Sequence, residues 1–515
     1  MALNDITFVK GKGGLGRAAE GSDYISGFLV YNNTYPSGFG SSNKVKQFFS
    51  VQDAKDAGIS DDYSDETKAT ATYLVTNKGA AADVVKITVS EPVVNTDGTT
   101  TTETVTLCEY TVVSGDSTTA LLAASLNTAI NALTYAHGYS SSISSSTITI
   151  TAKAGLGVYL NSATKIAVTI TGTVAGTLTD FSGGVASKRA LYYYHITEYF
   201  RINPTGNIYF GVFPVPGSYT YSEIADMQTY ANGSIRQLAV YNTVARTAAN
   251  VAADITAIQT QVDTQYDLHK PLCVQYAANI SAISDLSTLY NMASYTSPEV
   301  SINISQDGAG DGAMLYLTTA ISVTNIGALI GTVSKSKVSD SIAWIEAYNM
   351  SNGVENEVAA FANGVLYNNA STSLKNTLNS YRYIFLTKRT GLAGTYWNDS
   401  HTCIATSSDY AYIENNRTID KAIRGVYSGL LPKLNSPLVL NSDGTMTDNT
   451  IAILTSAARP NLDQMVRDSE LSAYSVTIDP AQDVQTTSKV VVAIKLIGVG
   501  VARNITVNIG YAIAL

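Results

Sequence analysis

The sequence predicts a multidomain chain of mixed α+β and α/β class, and three observations carry that expectation. From about residue 187, apolar strand-type runs alternate with helical stripes, the pattern of a largely parallel sheet with helices on its faces. Between residues 67 and 186, Thr and Ser rise, charge falls and short strand-type runs follow one another, which predicts an inserted β-rich domain. The last forty or so residues hold three more strand-type runs, the final one alternating without a break.

Composition sets the outer bounds. At 515 residues there is room for two to four domains, and 45% hydrophobic residues can fill their cores. Charged residues make up only 14% against a usual quarter, and there are 33 Tyr. That balance predicts a surface largely covered by other protein, since interfaces favour Tyr and shed Lys and Glu. With 32 basic and 41 acidic residues the net charge is −9 and no basic block stands out, which argues against direct nucleic-acid binding. Cys108, Cys273 and Cys403 lie too far apart for a disulfide framework or a metal cluster. The opening Met1-Ala-Leu-Asn-Asp5 has neither a basic nor an apolar leader region, and no apolar run approaches the ~18 residues of a membrane span. A chain made in the cytosol, soluble and not inserted in a membrane, is the expectation.

Residues 1–30 read as an extended N-terminal arm, with Ile6 and Phe8 alternating against Thr7 and Val9. Gly11-Lys-Gly-Gly-Leu-Gly16 matches the dinucleotide fingerprint as a string. That fingerprint needs a helix opening at once to present its amides to a pyrophosphate, whereas Arg17-Ala-Ala-Glu-Gly21 is broken after one turn. Gly13 and Gly14 read instead as hinge positions. Val51 to Gly58 predicts a short helix ending on a C-cap glycine. Strand-type runs follow at 70–76, 84–94, 102–113, 147–152 and 165–174, with a hairpin signal at Asp97-Gly98. Leu122, Leu126, Ala129, Ile130 and Leu133 stripe one helix, and Ser140 to Ser146 reads as a low-complexity loop.

Residues 187–369 form the α/β middle. Helices are predicted over Leu191 to Phe200, Tyr221 to Tyr230 and the stripe Val251, Ile255, Ile258, Val262. Strands are predicted over Asn207 to Val215, Ile235 to Tyr241, Pro271 to Ala277 and Glu299 to Ser305. Apolar helices lie within 313–365, with further strands at 381–387 and 402–406.

Near the C-terminus, Thr418 is placed to cap a helix striped by Ile419, Ile423, Val426 and Leu430. Thr450 is placed to cap a second, which Pro460 should break or kink for want of an amide donor. Tyr474, Val476 and Ile478 then alternate with Ser475, Thr477 and Asp479, and 490–497 is an apolar strand. Ile505, Val507, Ile509, Tyr511, Ile513 and Leu515 alternate with Thr506, Asn508, Gly510, Ala512 and Ala514. A terminus this regular either closes the chain's own sheet or pairs with a neighbour.

This order of elements resembles the C-terminal domain of contractile tail sheath proteins, found in bacteriophage tails and phage-derived contractile injection systems. The features that carry the resemblance are Arg417-Thr-Ile-Asp420 opening a helix, the helix pair and Tyr474-Ser-Val-Thr-Ile-Asp479. The strand 490–497, the turn near Gly498 to Arg503 and the terminal strand 505–514 complete them. Tyr24-Ile-Ser-Gly-Phe-Leu-Val30 is similar to sheath openings. The resemblance implies a sheath-type core, with mixed sheet and helices, from residues 31–66 and 370–515. Its C-terminal arm would begin near 498, with Gly498 and Gly500 as hinges; residues 67–186 would be an outer insertion. It implies a helical homo-oligomer of stacked six-fold rings around an inner tail tube protein, meeting baseplate and tail terminator proteins at its ends. Arms carrying Ile6, Phe8, Ile505, Val507, Ile509, Tyr511 and Ile513 would add strands to neighbouring subunits. The tube-facing candidates are Arg459, Asp463, Arg467, Asp468 and Glu470. No catalytic group, cofactor or metal belongs to this reading.

Two other classes stay open from residues alone: a nucleotide-binding α/β enzyme, on the glycine loop and the α/β middle, and a β-rich surface or adhesion protein, on the Thr/Ser-rich block. No set of acids and bases supports the first, and the α/β middle does not fit the second. Ser400-His401-Thr-Cys403 puts nucleophile and base types side by side, but strand neighbours point to opposite faces. Asp307-Gly-Ala-Gly-Asp-Gly312 lacks a calcium loop's third-position oxygen ligand and reads as a turn. Tyr192, Tyr193, Tyr194 and His195 read as helix packing.

Overall fold

Ile25-Ser-Gly-Phe-Leu-Val-Tyr31 is apolar along almost its whole length, and every one of its residues is buried. Such a run suits a parallel strand covered on both faces. In the computed structural model, which describes residues 22–511, it is the fifth of seven strands. Their order is Tyr383–Ile384, Val300–Asn303, Cys273–Asn279, Gln237–Ala245, Ile25–Tyr31, Asn207–Phe213, Val45–Phe48. All neighbours are parallel except the last pair, which is antiparallel. Phe28 and Val30 enter the core beneath helices Lys188–Ile202 and Ile326–Lys335. Leu29 and Tyr31 enter the opposite core, beneath Glu223–Tyr230 and Ala248–Asp267.

This sheet corrects two expectations. Residues 25–30 are its interior and not an arm, because a fully buried strand between two parallel partners has no free edge to give away. The division between residues 31–66 with 370–515 and residues 187–369 also falls elsewhere. Val45–Phe48 and Tyr383–Ile384 are strands of the same sheet as the α/β middle.

Residues 70–182 fold into two antiparallel sheets with a core of their own, including Tyr73, Ile87, Leu107, Leu122, Leu126, Ile148 and Phe181. The turn between Val84–Val94 and Thr100–Thr111 uses Gly98 at φ +84°. Ser140–Ser144, expected as loop, is an edge strand: the β-branched run Thr147–Thr151 supplies the pairing that the serines alone do not advertise.

The chain ends in a smaller unit. Helix Ile413–Leu430, called the root helix below, begins before Thr418, which therefore caps nothing; its hydroxyl donates to the Val338 carbonyl at 3.3 Å. The next helix, Asp448–Arg467, is capped by Thr447 rather than Thr450 and continues through Pro460. Ser456, four residues back, is exposed, so the carbonyl left without a partner faces water. Leu462, Met465, Leu471 and Ala422 form a small core beneath the hairpin Leu471–Ile478/Val492–Gly498. Residues 499–511 carry no strand pairing, so the expected strand from 505 has no partner among the described residues.

Candidate functional site: the roots of the two terminal segments

Both ends of the described chain are fastened to the root helix. At the start, Asp23 accepts a hydrogen bond from Arg424 Nη2 at 2.5 Å, and Lys421 Nζ lies 3.0 Å from its other oxygen. Lys421 also reaches Glu470 at 2.7 Å. Burial alone would raise the Asp23 carboxyl, but Arg424 and Lys421 outweigh it and hold the group below the ordinary value. Arg417, 4% exposed, donates to Ser336 Oγ at 2.8 Å, to the Lys337 carbonyl at 3.1 Å, and to the carbonyls of Ser336 at 3.3 Å and Asp23 at 3.5 Å. It thereby joins the root helix to the segment that follows helix Ile326–Lys335.

At the other end, Arg503 Nε donates to both oxygens of Asp399, at 3.0 and 3.2 Å. Its Nη2 donates to Ser400 Oγ at 3.2 Å and to Glu414 Oε1. Its guanidinium carbon lies 3.4 Å from the centre of the Tyr412 ring, and that of Arg382 lies 4.8 Å from the same ring. Ser400 Oγ also donates to Glu414 Oε2 at 2.6 Å. Burial raises the Glu414 carboxyl above its ordinary value against the pull of Arg503. Forked hydrogen bonds plus ring stacking is what a guanidinium does and an ammonium does not.

Beyond Arg503 the chain is unsupported. Ile505, Val507, Ile509 and Tyr511 are 81%, 69%, 90% and 111% exposed. Gly498 ends the last hairpin strand and Gly500 follows it, and a side chain added at either would meet open space. Ile6, Phe8, Gly13, Gly14 and Ile513 lie outside the described residues, as does the Gly11 to Gly16 loop.

Between the root helix and the hairpin runs a groove of about 1120 Å³. Ile419, Ile423 and Val426 line one side, Ile494, Lys495 and Leu496 the other, and Tyr266 and Tyr410 its rim. Consecutive residues 494–496 contribute, so the strand presents its edge there as well as a face. Val492–Gly498 pairs with Leu471–Ile478 only, so its second edge is unpaired among the described residues. An open strand edge beside an apolar wall can accept an extended segment through backbone hydrogen bonds, with alternate side chains entering the wall.

Arg459, Asp463, Arg467 and Asp468 are brought together on the exposed side and end of helix Asp448–Arg467. Tyr474 donates to Asp463 at 2.5 Å, Arg467 donates to Gln464 at 2.7 Å, and Gln464 donates to Asp468 at 2.9 Å. Glu470 departs from this group. It is buried against Lys421, because the helix has ended and the chain turns inward.

Sequence reading places Arg417 and Arg503 in segments that carry the resemblance, but gives neither them nor their partners a fastening role. Their trace is the spacing of Glu414, Arg417, Asp420, Lys421 and Arg424, which puts charge on successive turns of one helix. In Ser400-His401-Thr-Cys403, Ser400 serves Glu414, His401 Nε2 meets Asn379 at 3.0 Å, and burial pushes the Cys403 thiol up to about 12. Asp307 accepts from the amides of Ala309, Gly310 and Asn356, closing its loop on itself.

Two family models match the sequence: DUF2586, N-terminal domain, over residues 3–401, and DUF2586, C-terminal domain, over residues 409–515. Curated proteins give no match. Among solved structures, the chain is similar to a chain of the anti-feeding prophage baseplate, 6-fold symmetrised, at 14% identity and TM-score 0.43, covering 62% of this chain and 80% of that one. It is similar to the helical sheath of the anti-feeding prophage in its contracted state at 16% identity and TM-score 0.44, covering 62% and 81%. The contracted sheath complex of the extracellular contractile injection system PVC gives 14% identity and TM-score 0.40, covering 62% and 80%.

Proposed function

The chain belongs to the DUF2586 family, and from that premise we propose that it is a structural subunit of a contractile sheath. Copies polymerise helically around an inner tube and contract to drive it through a target envelope. One observation carries the reading: an alternating apolar segment, 505–511, leaves a firmly anchored root exposed, while the same unit offers an unpaired strand edge, among the described residues, beside a groove with apolar walls and polar residues such as Glu414 and Lys495.

A strand passed to the next copy gains backbone hydrogen bonds worth about 1 kcal/mol net each. Ile505, Val507 and Ile509 repeat every second residue, so one face enters the recipient's groove and register is fixed. Because donor and acceptor are different surfaces, the contact is heterologous and propagates into rings or an open helix. On this reading Gly498 and Gly500, with Gly13 and Gly14 at the other end, let subunits turn while the links hold. The face with Arg459, Asp463, Arg467 and Asp468 meets the tube through polar contacts that can release. Residues 70–182 lie on the outside, and the ends of the array meet baseplate and terminator proteins. Assembly of the sheath into a tail or injection particle follows synthesis in the cytoplasm.

Electron microscopy of the purified full chain tests this. Hollow tubes of helically arrayed subunits are expected, and a variant ending at residue 503 should stay folded and monomeric. Tubes formed equally well by the truncated chain would refute strand donation.

A further inference from the structure

The C-terminal segment lies close enough to close on itself. Residues 499–504 separate strand Val492–Gly498 from the alternating segment, close to the length of an ordinary hairpin connection. Gly498 and Gly500 meet nothing that would hinder a turn. Folding back would add a third strand to the hairpin, satisfy the unpaired edge and cover Ile505, Val507 and Ile509. A subunit closed in this way would have neither a strand to give nor an edge to receive one. The segment nevertheless stands clear of the hairpin, with Ile509 90% exposed.

What separates the two paths is Arg503. Its guanidinium is held by Asp399, Ser400 and Glu414 and lies on the Tyr412 ring, all belonging to the start of the root helix and the segment before it. Glu414 is 2% exposed, and among the described residues Arg503 is the cation that pairs with it. A buried carboxylate of this kind holds its counter-charge firmly, since losing it would leave a bare charge in the interior.

We propose that Arg503 and its socket are a latch that directs the C-terminal segment away from its own hairpin, keeping strand and edge available for a second copy. This rests on the assembly reading above and adds what enforces exchange between copies over closure within one.

Hydrogen exchange on dilute, unassembled full-length protein tests the latch. In the wild type, residues 505–511 should exchange without protection. Arg503→Gln combined with Glu414→Gln removes the latch and leaves no bare charge at the buried Glu414 position, while Asp399, which also loses its guanidinium, is part-exposed. It should bring at least about tenfold protection to residues 505–511 and to the open edge of 492–498, independent of protein concentration. The same variant should enter polymers at least about tenfold less. An unprotected tail beside an unchanged hairpin and root helix overturns the latch. Should the double variant lose the fold around Glu414, Arg503→Gln alone decides: it removes the cation and leaves the root helix residues unchanged, and a tail as unprotected as wild type overturns the proposal. A wild type that never polymerises would sink the assembly reading and leave the exchange result standing.

Discussion

Replacing Gly327 by Ala tests how tightly the body that carries the root helix is packed. Helix Ile326–Lys335 lies against helix Lys188–Ile202 at this point, and a Cβ on Gly327 would sit 2.2 Å from the His195 carbonyl oxygen and 2.7 Å from its Cα. Ordinary contact begins at 3.4 Å, so the helices must part by 3.4 − 2.2 = 1.2 Å. Backbone cannot swing aside as a side chain would. Leu329, Ile330 and Val333, each 0% exposed, belong to the same packed core, so the displacement has no free space to take up. Overpacking of this kind costs about 3 kcal/mol or more, against about 1 kcal/mol that Ala gains over Gly in a helix. A net loss of at least about 2 kcal/mol is expected. Gly331→Ala is the control, since its Cβ would meet Tyr199 O at 3.0 Å and Ile202 Cβ at 3.1 Å, and a shift of a few tenths suffices. The assay is urea unfolding followed by Trp397 fluorescence in a Trp344→Phe background, because Trp397 Nε1 donates to Thr332 of this very helix at 3.3 Å. Equal or raised stability in Gly327→Ala would show that helix propensity wins and that the close approach is not a constraint.

Two further outcomes follow from the same geometry. Burial and the neighbouring Asp307 push the Glu355 carboxyl up to about 8, so the folded chain holds this proton more tightly than the unfolded one. Its contribution is present below the ordinary carboxylate range and is lost as pH rises toward and through 8; in Glu355→Gln, the urea midpoint should fall less between pH 5 and 9 than in the wild type, and identical slopes would contradict it. Arg417→Met leaves the Ser336 carbonyl, on a buried residue, without its guanidinium partner, which should cost about 2–4 kcal/mol locally and raise amide exchange along residues 413–430 while the central sheet is unaffected.

The elements that sequence reading places well are those whose own residues decide them. Asn207–Phe213, Gln237–Ala245 and Cys273–Asn279 are runs in which apolar residues predominate, and the stripes at Leu122 and Val251 mark helices whose one face is buried. Ile25–Tyr31 is harder because Ser26 and Gly27 look like loop residues beside a glycine-rich stretch. Gly27 is closely packed, since a Cβ there would lie 2.5 Å from Cδ1 of Leu238, a side chain from a distant part of the sequence that would have to move. Ser140–Ser144 borrows its strand from its partner. The root residues are hardest of all. A helix with Glu414, Arg417, Asp420 and Arg424 on successive turns reads as a wet face, and only the arrival of Asp23, Ser336 and Arg503 from distant parts of the chain makes that face an interior one.

That both roots sit on one helix has a mechanical consequence. Glu414 and the Lys421–Arg424 pair are separated by about 10–15 Å of α-helix at 1.5 Å rise per residue. Tension arriving through Arg503 would leave through Asp23 along that short stiff rod, and the seven-stranded sheet would lie beside the line of force without carrying it. A chain pulled from both ends in this way behaves as a link whose strength is set by two ion clusters and one helix, whatever the size of the body hanging from it.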